Sequence, residues 1–335
     1  MTVLVTGASG HVGLTLVQRL LAQGRRVRTL SRYRASALGS LPIEFVDGDL
    51  GEKDSLRAAF ADVEVVYHAA AHISLQPNAW PALQRANVEG TRHVVELCHA
   101  HHVRRLLYFS SLEVLRSEPR AESLNETRPL IADDAPLPYA RSKVLAQYLV
   151  QHAIQRGLDA VMLYPSAILG PNDYRANAAN ALVLMLARGE LPALVHGGYD
   201  WVDVRDVVEG AMRAERDAPA GGAYILSNQW VSLQGIGRMV AEAGGSPAPR
   251  LVIPAWVGYL CVPAVRVAAS LRGKTPTFTK HALYTATNSN QRVSHQRATD
   301  ELAYQPRPLA QTVADTLDWF ERIGRFSRRR KQAAR

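Results

Sequence analysis

Apolar and polar positions along the chain alternate between two rhythms. Short apolar runs recur at "TVLVT" (2–6), "RVRTL" (26–30), "IEFVDGD" (43–49), "VEVVYHAA" (63–70), "RRLLYFSS" (104–111) and "LDAVMLYPS" (158–166), and they read as buried strands. Between them, 11–24, 52–60, 81–101 and 138–156 carry the spacing of amphipathic helices, the first ending at Gly24. Strand–helix alternation of this kind predicts a doubly wound α/β fold, a parallel sheet with helices on both faces. After about Pro165 the rhythm becomes irregular: a helix near 176–188, then "WVDVRDVVEGAMRAE" (201–215), a returning strand at "GAYILSN" (222–228), and mainly helical patterns ending in "LAQTVADTLDWFERIG" (309–324). The pattern divides the chain into a nucleotide domain over 1–165, rejoined at about 199–230, and a smaller C-terminal lobe from 166–198 and 231–324. Residues 325–335 form a basic tail.

Composition narrows this picture modestly. Of 335 residues, 47 % are apolar, enough for a substantial core. The two cysteines, Cys98 and Cys261, are far apart, which fits a reducing cytoplasm rather than a disulfide framework. No basic leader with an apolar stretch precedes the first strand, so a cytoplasmic location is expected. The formal charge is +9, and from Arg322 onward the tail holds seven basic residues and no acid. A solvated terminus accounts for it, and no nucleic-acid partner is expected. The apolar stretch 251–271 is interrupted by Pro254, Pro263 and Arg266, which argues against a spanning helix. A lid or core helix is the expectation there, with monotopic contact at a bilayer surface the alternative. Cys98, His99, His101 and His102 cluster at the end of a predicted helix with no second ligand group nearby, so no metal site is inferred. His68 and His72 likewise flank a loop rather than form a helical pair.

Candidate chemistry changes the picture more. "TGASGHVG" puts Gly7, Gly10 and Gly13 between the first strand and the first helix. Glycines there permit a tight turn, close approach of backbone to a diphosphate, and close helix–sheet packing. The helix N-terminus adds free N–H groups and the positive end of its dipole. Ser9, His11 and Val12 complete this loop. An NAD site usually offers a carboxylate at the end of the second strand, yet no Asp or Glu occurs before Glu44. That strand ends "TLSRYR", and Arg32, near Ser31 and Arg34, can pair with a 2′-phosphate. The expected cofactor is therefore NADP(H), with Arg32 as its main anchor.

"PYARSK" (138–143) spaces Tyr139 and Lys143 one helical turn apart. Reducing a carbonyl with hydride leaves an alkoxide that needs a proton, and a tyrosine can donate it. A unit positive charge about 4 Å away is worth roughly 4 kcal/mol at an effective dielectric near 20, enough to lower a tyrosine pKa by about three. Lys143 is thus expected to activate Tyr139 as general acid–base.

In order along the chain these motifs resemble the extended short-chain dehydrogenases/reductases, which have a Rossmann-type fold. "TGASGHVG" is similar to the family's glycine fingerprint, "DGDL" (47–50) to the loop whose aspartate, here Asp49 beside Leu50, contacts adenine, and "HAAA" (Ala69, Ala70, Ala71) to the small-residue stretch beside the cofactor. "YFSSLEV" with "YARSK" matches the serine and Tyr-x-x-x-Lys elements. The resemblance implies that Ser111 is the catalytic serine, that Ser110 is structural, and that Lys143 also contacts the nicotinamide ribose. "YPSAILGPND" (164–173) resembles the segment whose backbone meets the carboxamide, here Pro165 and Ser166. Tyr164 departs from the family pattern there, and "WVDVRDVV" matches a later motif. His72, Glu113 and Ile168 stand where substrate is contacted. A homodimer through two helices of the nucleotide domain is a family expectation.

Within the family, sugar-nucleotide epimerases carry an arginine near the later strand for the substrate diphosphate. This chain has "VHGGYDWVDVRD" there, with Tyr199 and Asp200 in place of such ligands and Arg205 less well placed. "SSLEV", "FTKHAL" (278–283), "VSHQRATDELAYQPRPL" (293–309) and "TLDWF" resemble the dihydroflavonol 4-reductase and 3β-hydroxysteroid dehydrogenase branch and hopanoid-associated proteins. Trp256, Tyr259, Phe278 and a leucine-rich helix over 182–194 are candidates to line an apolar pocket. The expected activity is NADP(H)-dependent reduction of a ketone, or oxidation of its alcohol, on a fairly apolar small molecule. The alternative is a sugar or hopanoid-associated epimerase or dehydratase.

Overall fold

Successive side chains of the central strands are buried on opposite sides of one sheet. The computed structural model describes residues 2–74, 79–135, 137–271 and 279–328; Phe278 and residues 329–335 of the basic tail lie outside the described residues. The strands are β1 (Thr2–Thr6), β2 (Arg26–Ser31), β3 (Glu44–Asp47), β4 (Val63–His68), β5 (Arg105–Phe109) and β6 (Ala160–Pro165). The helices among them are α1 (His11–Ala22), α2 (Lys53–Phe60), α3 (Trp80–Leu83), α4 (Gly90–Ala100) and α5 (Pro138–Gln155). Val3, Val5, Tyr67, Leu107 and Leu163 pack with Leu16 and Leu20 of α1. Leu4, Val66, Leu106 and Met162 pack the other face against Phe60, Val94 and Val150 from α2, α4 and α5. Burial on both faces explains why these strands read as continuous apolar runs. A π-helical turn, Gln84–Glu89, joins α3 to α4 within the single helix predicted over 81–101.

Beyond Pro165 the chain leaves the sheet through β7 (Ala167–Leu169), α6 (Ala178–Arg188), β8 (Leu194–Val195) and β9 (Gly198–Asp203). It returns through α7 (Val204–Asp217) and β10 (Ala223–Leu226), then builds β11 (Gln229–Ser232), α8 (Leu233–Glu242), β12 (Val252–Ile253), α9 (Ala255–Leu271), α10 (Lys280–Asn288), α11 (Gln296–Leu302) and α12 (Leu309–Arg322). The main sheet runs β3-β2-β1-β4-β5-β6-β10, and every registered pair in it is parallel. β9 pairs instead with β7 and β11 in a small separate sheet. A second core, around Leu169, Val183, Trp201, Ile236, Val313 and Phe320, holds this lobe together. The expected helix over 182–194 stops at Arg188, because Gly189 takes a left-handed φ of 70° and closes it. In the stretch 201–215, β9 ends at Asp203, whose carboxylate accepts the Arg205 N–H at 2.8 Å and starts α7.

Candidate active site

Strand order reverses direction at β1, and the crevice between the ends of β1 and β4 is where α/β sheets take nucleotides. Gly7 turns the chain there with a φ of +73°, and a side chain on it would meet the Ala70 backbone at 2.7 Å. A β-carbon on Gly13 would lie 2.1 Å from the Gly7 carbonyl oxygen, so α1 presses onto its own loop. Gly10 N-caps α1 without a side-chain cap, leaving the first-turn amides free for an anion. The loop, the free helix start and the small residues Ala69 and Ala70 opposite form a cradle that fits a dinucleotide diphosphate. The His11 ring points elsewhere: Nε2 lies 2.9 Å from the Pro171 carbonyl and Nδ1 lies 3.1 Å from Asn177 Nδ2. It ties the loop to the second lobe, and burial lowers its pKa.

At the end of β2, Arg32 is exposed and makes no hydrogen bond or ion pair among the described residues. Arg34 instead reaches the carbonyls of Gly39 and Leu41, and Arg175 donates to the Tyr33 hydroxyl at 2.6 Å. After β3, the Asp49 carboxylate accepts the Gly51 N–H at 2.9 Å and pairs with Arg85 at 3.3 Å, while the Leu50 carbonyl meets the His93 ring at 2.8 Å. At the end of β4, His68 is buried between Thr6 and Thr91, at 2.7 and 3.0 Å. Burial first, and Lys143 second, push its pKa down to about 3, so it is a neutral clamp between β1 and α4.

The catalytic candidates meet at the ends of β5 and β6. Pro138 opens α5, which puts Tyr139 in its first turn and Lys143 one turn later. Ser111 caps a short 3-10 turn by accepting the Glu113 N–H at 3.2 Å, and its hydroxyl is near enough to the Tyr139 phenol to favour the phenolate. Ser110 turns inward to Gln147 at 2.7 Å, and Gln147 donates to the Tyr164 hydroxyl at 2.8 Å. Tyr164 is thereby a core residue, beyond reach of a ligand. Ser166 and Ile168 follow β6 on the lobe side, where Ile168 packs against the core below α1.

The electrostatics differ from the sequence expectation at one point. Lys143 donates to the Phe109 carbonyl at 2.7 Å, sits 4.5 Å from the centre of the Tyr108 ring and is only 2 % exposed. Burial pushes its pKa down to about 7. Tyr139 is held above its ordinary pKa, first by burial and then by the Glu113 charge, while the nearby Ser111 hydroxyl acts in the opposite direction. In the protein as it stands, the lysine charge goes to a backbone carbonyl and does not lower the phenol. The helical spacing was right, but the direction of the amino group depends on where β5 ends.

Two positioning groups escaped the sequence reading. Asn87, 2 % exposed, holds the His72 backbone at 2.7 and 2.9 Å and donates to Ser142 at 2.9 Å; Ser142 in turn donates to the Tyr139 carbonyl at 2.7 Å. A usable signal existed, since a polar Asn87 sits between Leu83 and Thr91 at four-residue spacing on the buried side of the helix. His281, on α10, lies 3.7 Å from Glu113, and its buried Nε2 and the Glu113 Oε2 have no hydrogen-bond partner among the described residues. No local pattern announces that pair. Tyr199 donates to the Ala282 carbonyl at 2.7 Å, and Asp200, 5 % exposed, accepts the Asn228 N–H at 3.1 Å. Arg205 is committed to Asp203 and Asp315, both at 2.6 Å.

The sequence profile of the NAD dependent epimerase/dehydratase family matches residues 3–226. The chain is 33 % identical to sterol demethylase protein B of Methylococcus capsulatus, over 97 % of this chain and 99 % of that one. It is 30 % identical to a putative dihydroflavonol 4-reductase of Synechocystis, over 96 % and 94 %, and 29 % identical to a UDP-glucose 4-epimerase of Mycolicibacterium smegmatis, over 96 % and 98 %. Among solved structures, that of gox2253 superposes with a TM-score of 0.82 at 30 % identity, covering 97 % of this chain and 99 % of that one. The glycine cradle, the parallel sheet and these relatives agree: the chain belongs to the NAD dependent epimerase/dehydratase family of extended short-chain dehydrogenases/reductases and is an oxidoreductase of that type.

Proposed function

We propose that the protein is an NADP(H)-dependent ketone reductase, or secondary-alcohol dehydrogenase, acting on a fairly apolar small molecule in the cytoplasm. The observation that carries the reading is the placement of Ser111 after β5 and of Tyr139 and Lys143 on α5, in a sheet whose first turn forms the glycine cradle. Arg32 is assigned to the 2′-phosphate, because it is the uncommitted cation at the end of an acid-free strand. The first turn of α1, with Ser9 and Val12, is assigned to the diphosphate, Asp49 and Leu50 to the adenosine side, and Pro165 and Ser166 to the carboxamide. When bound, the nicotinamide supplies or accepts the hydride. Ser111 orients the substrate oxygen, and Tyr139 passes a proton to it during reduction or takes one from it during oxidation. Lys143 is assigned to the nicotinamide ribose, and its amino group is anchored on the Phe109 carbonyl. The lobe formed by 166–198 and 231–324 binds the substrate, with His72, Glu113 and Ile168 at its edge.

Commitment of Arg205 to two aspartates supports a substrate without a diphosphate. Names of relatives point both ways: 2-alkyl-3-oxoalkanoate reductase of Stenotrophomonas maltophilia and the UDP-glucose 4-epimerase. The test is oxidation of NADPH and NADH in the presence of a panel of ketones, sterols and flavonoids, with Tyr139→Phe alongside. The expected result is net NADPH oxidation that Tyr139→Phe lowers by about 10²-fold or more while NADPH still binds. Epimerisation without net cofactor consumption, or near wild-type turnover in Tyr139→Phe, overturns the reading. We further assign a homodimer through α4 and α5, supported by Tyr148, 42 % exposed on α5, and checked by light scattering.

A further inference from the structure

The stretch read as a lid or core helix is α9, and its described side chains show one covered and one bare side. Val262 is 2 % exposed, and a β-carbon on Gly258 would touch Leu283 and Val195 at 3.2 and 3.3 Å, so this side packs on α10 and β8. On the remaining surface Trp256 is 66 % exposed, Leu260 72 % and Val265 36 %. Leu251 and Tyr284, just before α9 and on α10, are exposed as well. These five are more than half of the nine exposed large apolar residues among the described residues, gathered into one region of the lobe.

Charge is arranged around the same region. From Ala243 to Thr299 the sequence holds no Asp or Glu; of its described basic side chains, Arg297 pairs with Glu301 and Arg292 donates to the Ala121 carbonyl, which leaves Arg250 and Lys280 beside the patch. Arg250 directly precedes Leu251, and Lys280 lies one turn before Tyr284 on α10; both are exposed and have no ion pair among the described residues. Elsewhere the basic residues are mostly matched, as with Arg25 and Glu215 or Arg205 and Asp315. Apolar protrusions with an unmatched basic margin complement one kind of partner, an anionic lipid surface. α9 is too short to cross one: 17 residues span about 25 Å, against a hydrocarbon core of about 30 Å, and Pro263 interrupts it.

We propose that the outer face of α9, with Trp256 and Leu260 at its tip, rests in the headgroup boundary of an anionic membrane as a reversible peripheral contact. The geometry stands independently of the reaction assigned to the site. It also places the substrate lobe, whose α10 carries His281 beside Glu113, against the phase in which an apolar substrate concentrates.

The test uses the full chain and sedimentable vesicles of phosphatidylcholine, with and without phosphatidylglycerol. Sedimentation with the anionic vesicles is expected, falling with added salt and with pure phosphatidylcholine. Trp256→Ser with Leu260→Asn is expected to lower the partition coefficient by about 10-fold or more, since each side chain loses its burial in lipid. Of the five tryptophans Trp256 alone is exposed, so lipids brominated in the acyl chain are expected to quench its emission in the unmutated protein, whether or not the variant folds. No sedimentation with anionic vesicles, or no quenching, overturns the proposal. So does a concentration-dependent dimer that the double variant abolishes, which would make this face an interface between copies.

Discussion

Replacing Lys143 with methionine deletes the amino group while keeping most of the side chain. In the folded protein this amino group is buried, its hydrogen bond goes to the neutral Phe109 carbonyl, and no carboxylate pairs with it among the described residues. Its pKa falls from 10.5 to about 7, whereas the unfolded chain keeps the ordinary value. Between those pH values the unfolded state binds more protons, so stability rises with pH through that window and the full penalty stands below pH 7. At pH 7 a difference of about three pKa units amounts to about 4 kcal/mol. Losing the hydrogen bond to Phe109 offsets about 1–2 kcal/mol of the gain. The methionine variant is therefore expected to be more stable than the wild type at pH 7 by about 2–3 kcal/mol, or about 3–4 °C in Tm for a chain of this length. Calorimetry without cofactor at pH 6, 7, 9 and 10 measures both the offset and its disappearance toward pH 10. Turnover falls by at least about 10²-fold in the same protein, a stability gain at the cost of function. A variant with equal or lower Tm at pH 7 and an unchanged pH trend would refute the claim that this lysine is held at an energetic cost.

Arg32→Ala is expected to weaken NADPH binding about 10- to 100-fold, the loss of a charge-assisted pair, and to leave NADH binding unchanged; equal losses in a fluorescence titration would rule out the 2′-phosphate role. Gly7→Ala must adopt a φ of +73° and displace the Ala70 backbone, so a loss of about 1–3 kcal/mol in stability is expected by denaturant titration, together with weaker cofactor binding. Glu113→Gln removes the charge that helps to hold the Tyr139 phenol up, so the limb on which alcohol oxidation rises with pH is expected to move toward lower pH. An unmoved limb would mean that Glu113 acts only on substrate.

Much of the nucleotide half was legible because its signals are local. The strand runs of 2–6 and 63–68 alternate residues between two buried faces, and the glycine turn needs only its own few residues to state its geometry. Ser110 was separated from Ser111, and the structure shows the first turned into the core toward Gln147. The π turn within the helix over 81–101 was not readable; it carries Asn87, whose bond to the His72 backbone joins segments 15 residues apart. The tyrosine–lysine spacing was readable, but its electrostatic consequence was not. A helix fixes which side chains share a face, and only the neighbouring strand fixes whether a charge meets a phenol or a carbonyl.

The same division runs through the whole protein. The sequence by itself determined the parallel sheet, the glycine turn before α1 and the order of serine, tyrosine and lysine, because each depends on backbone periodicity or on residues close together in the chain. Only the tertiary structure decided that His281 faces Glu113, that Arg205 is spent on Asp203 and Asp315, and that Trp256 and Leu260 stay bare. Those outcomes depend on contacts between segments far apart in sequence, where burial, rather than residue type, sets the cost of a charge or an apolar surface.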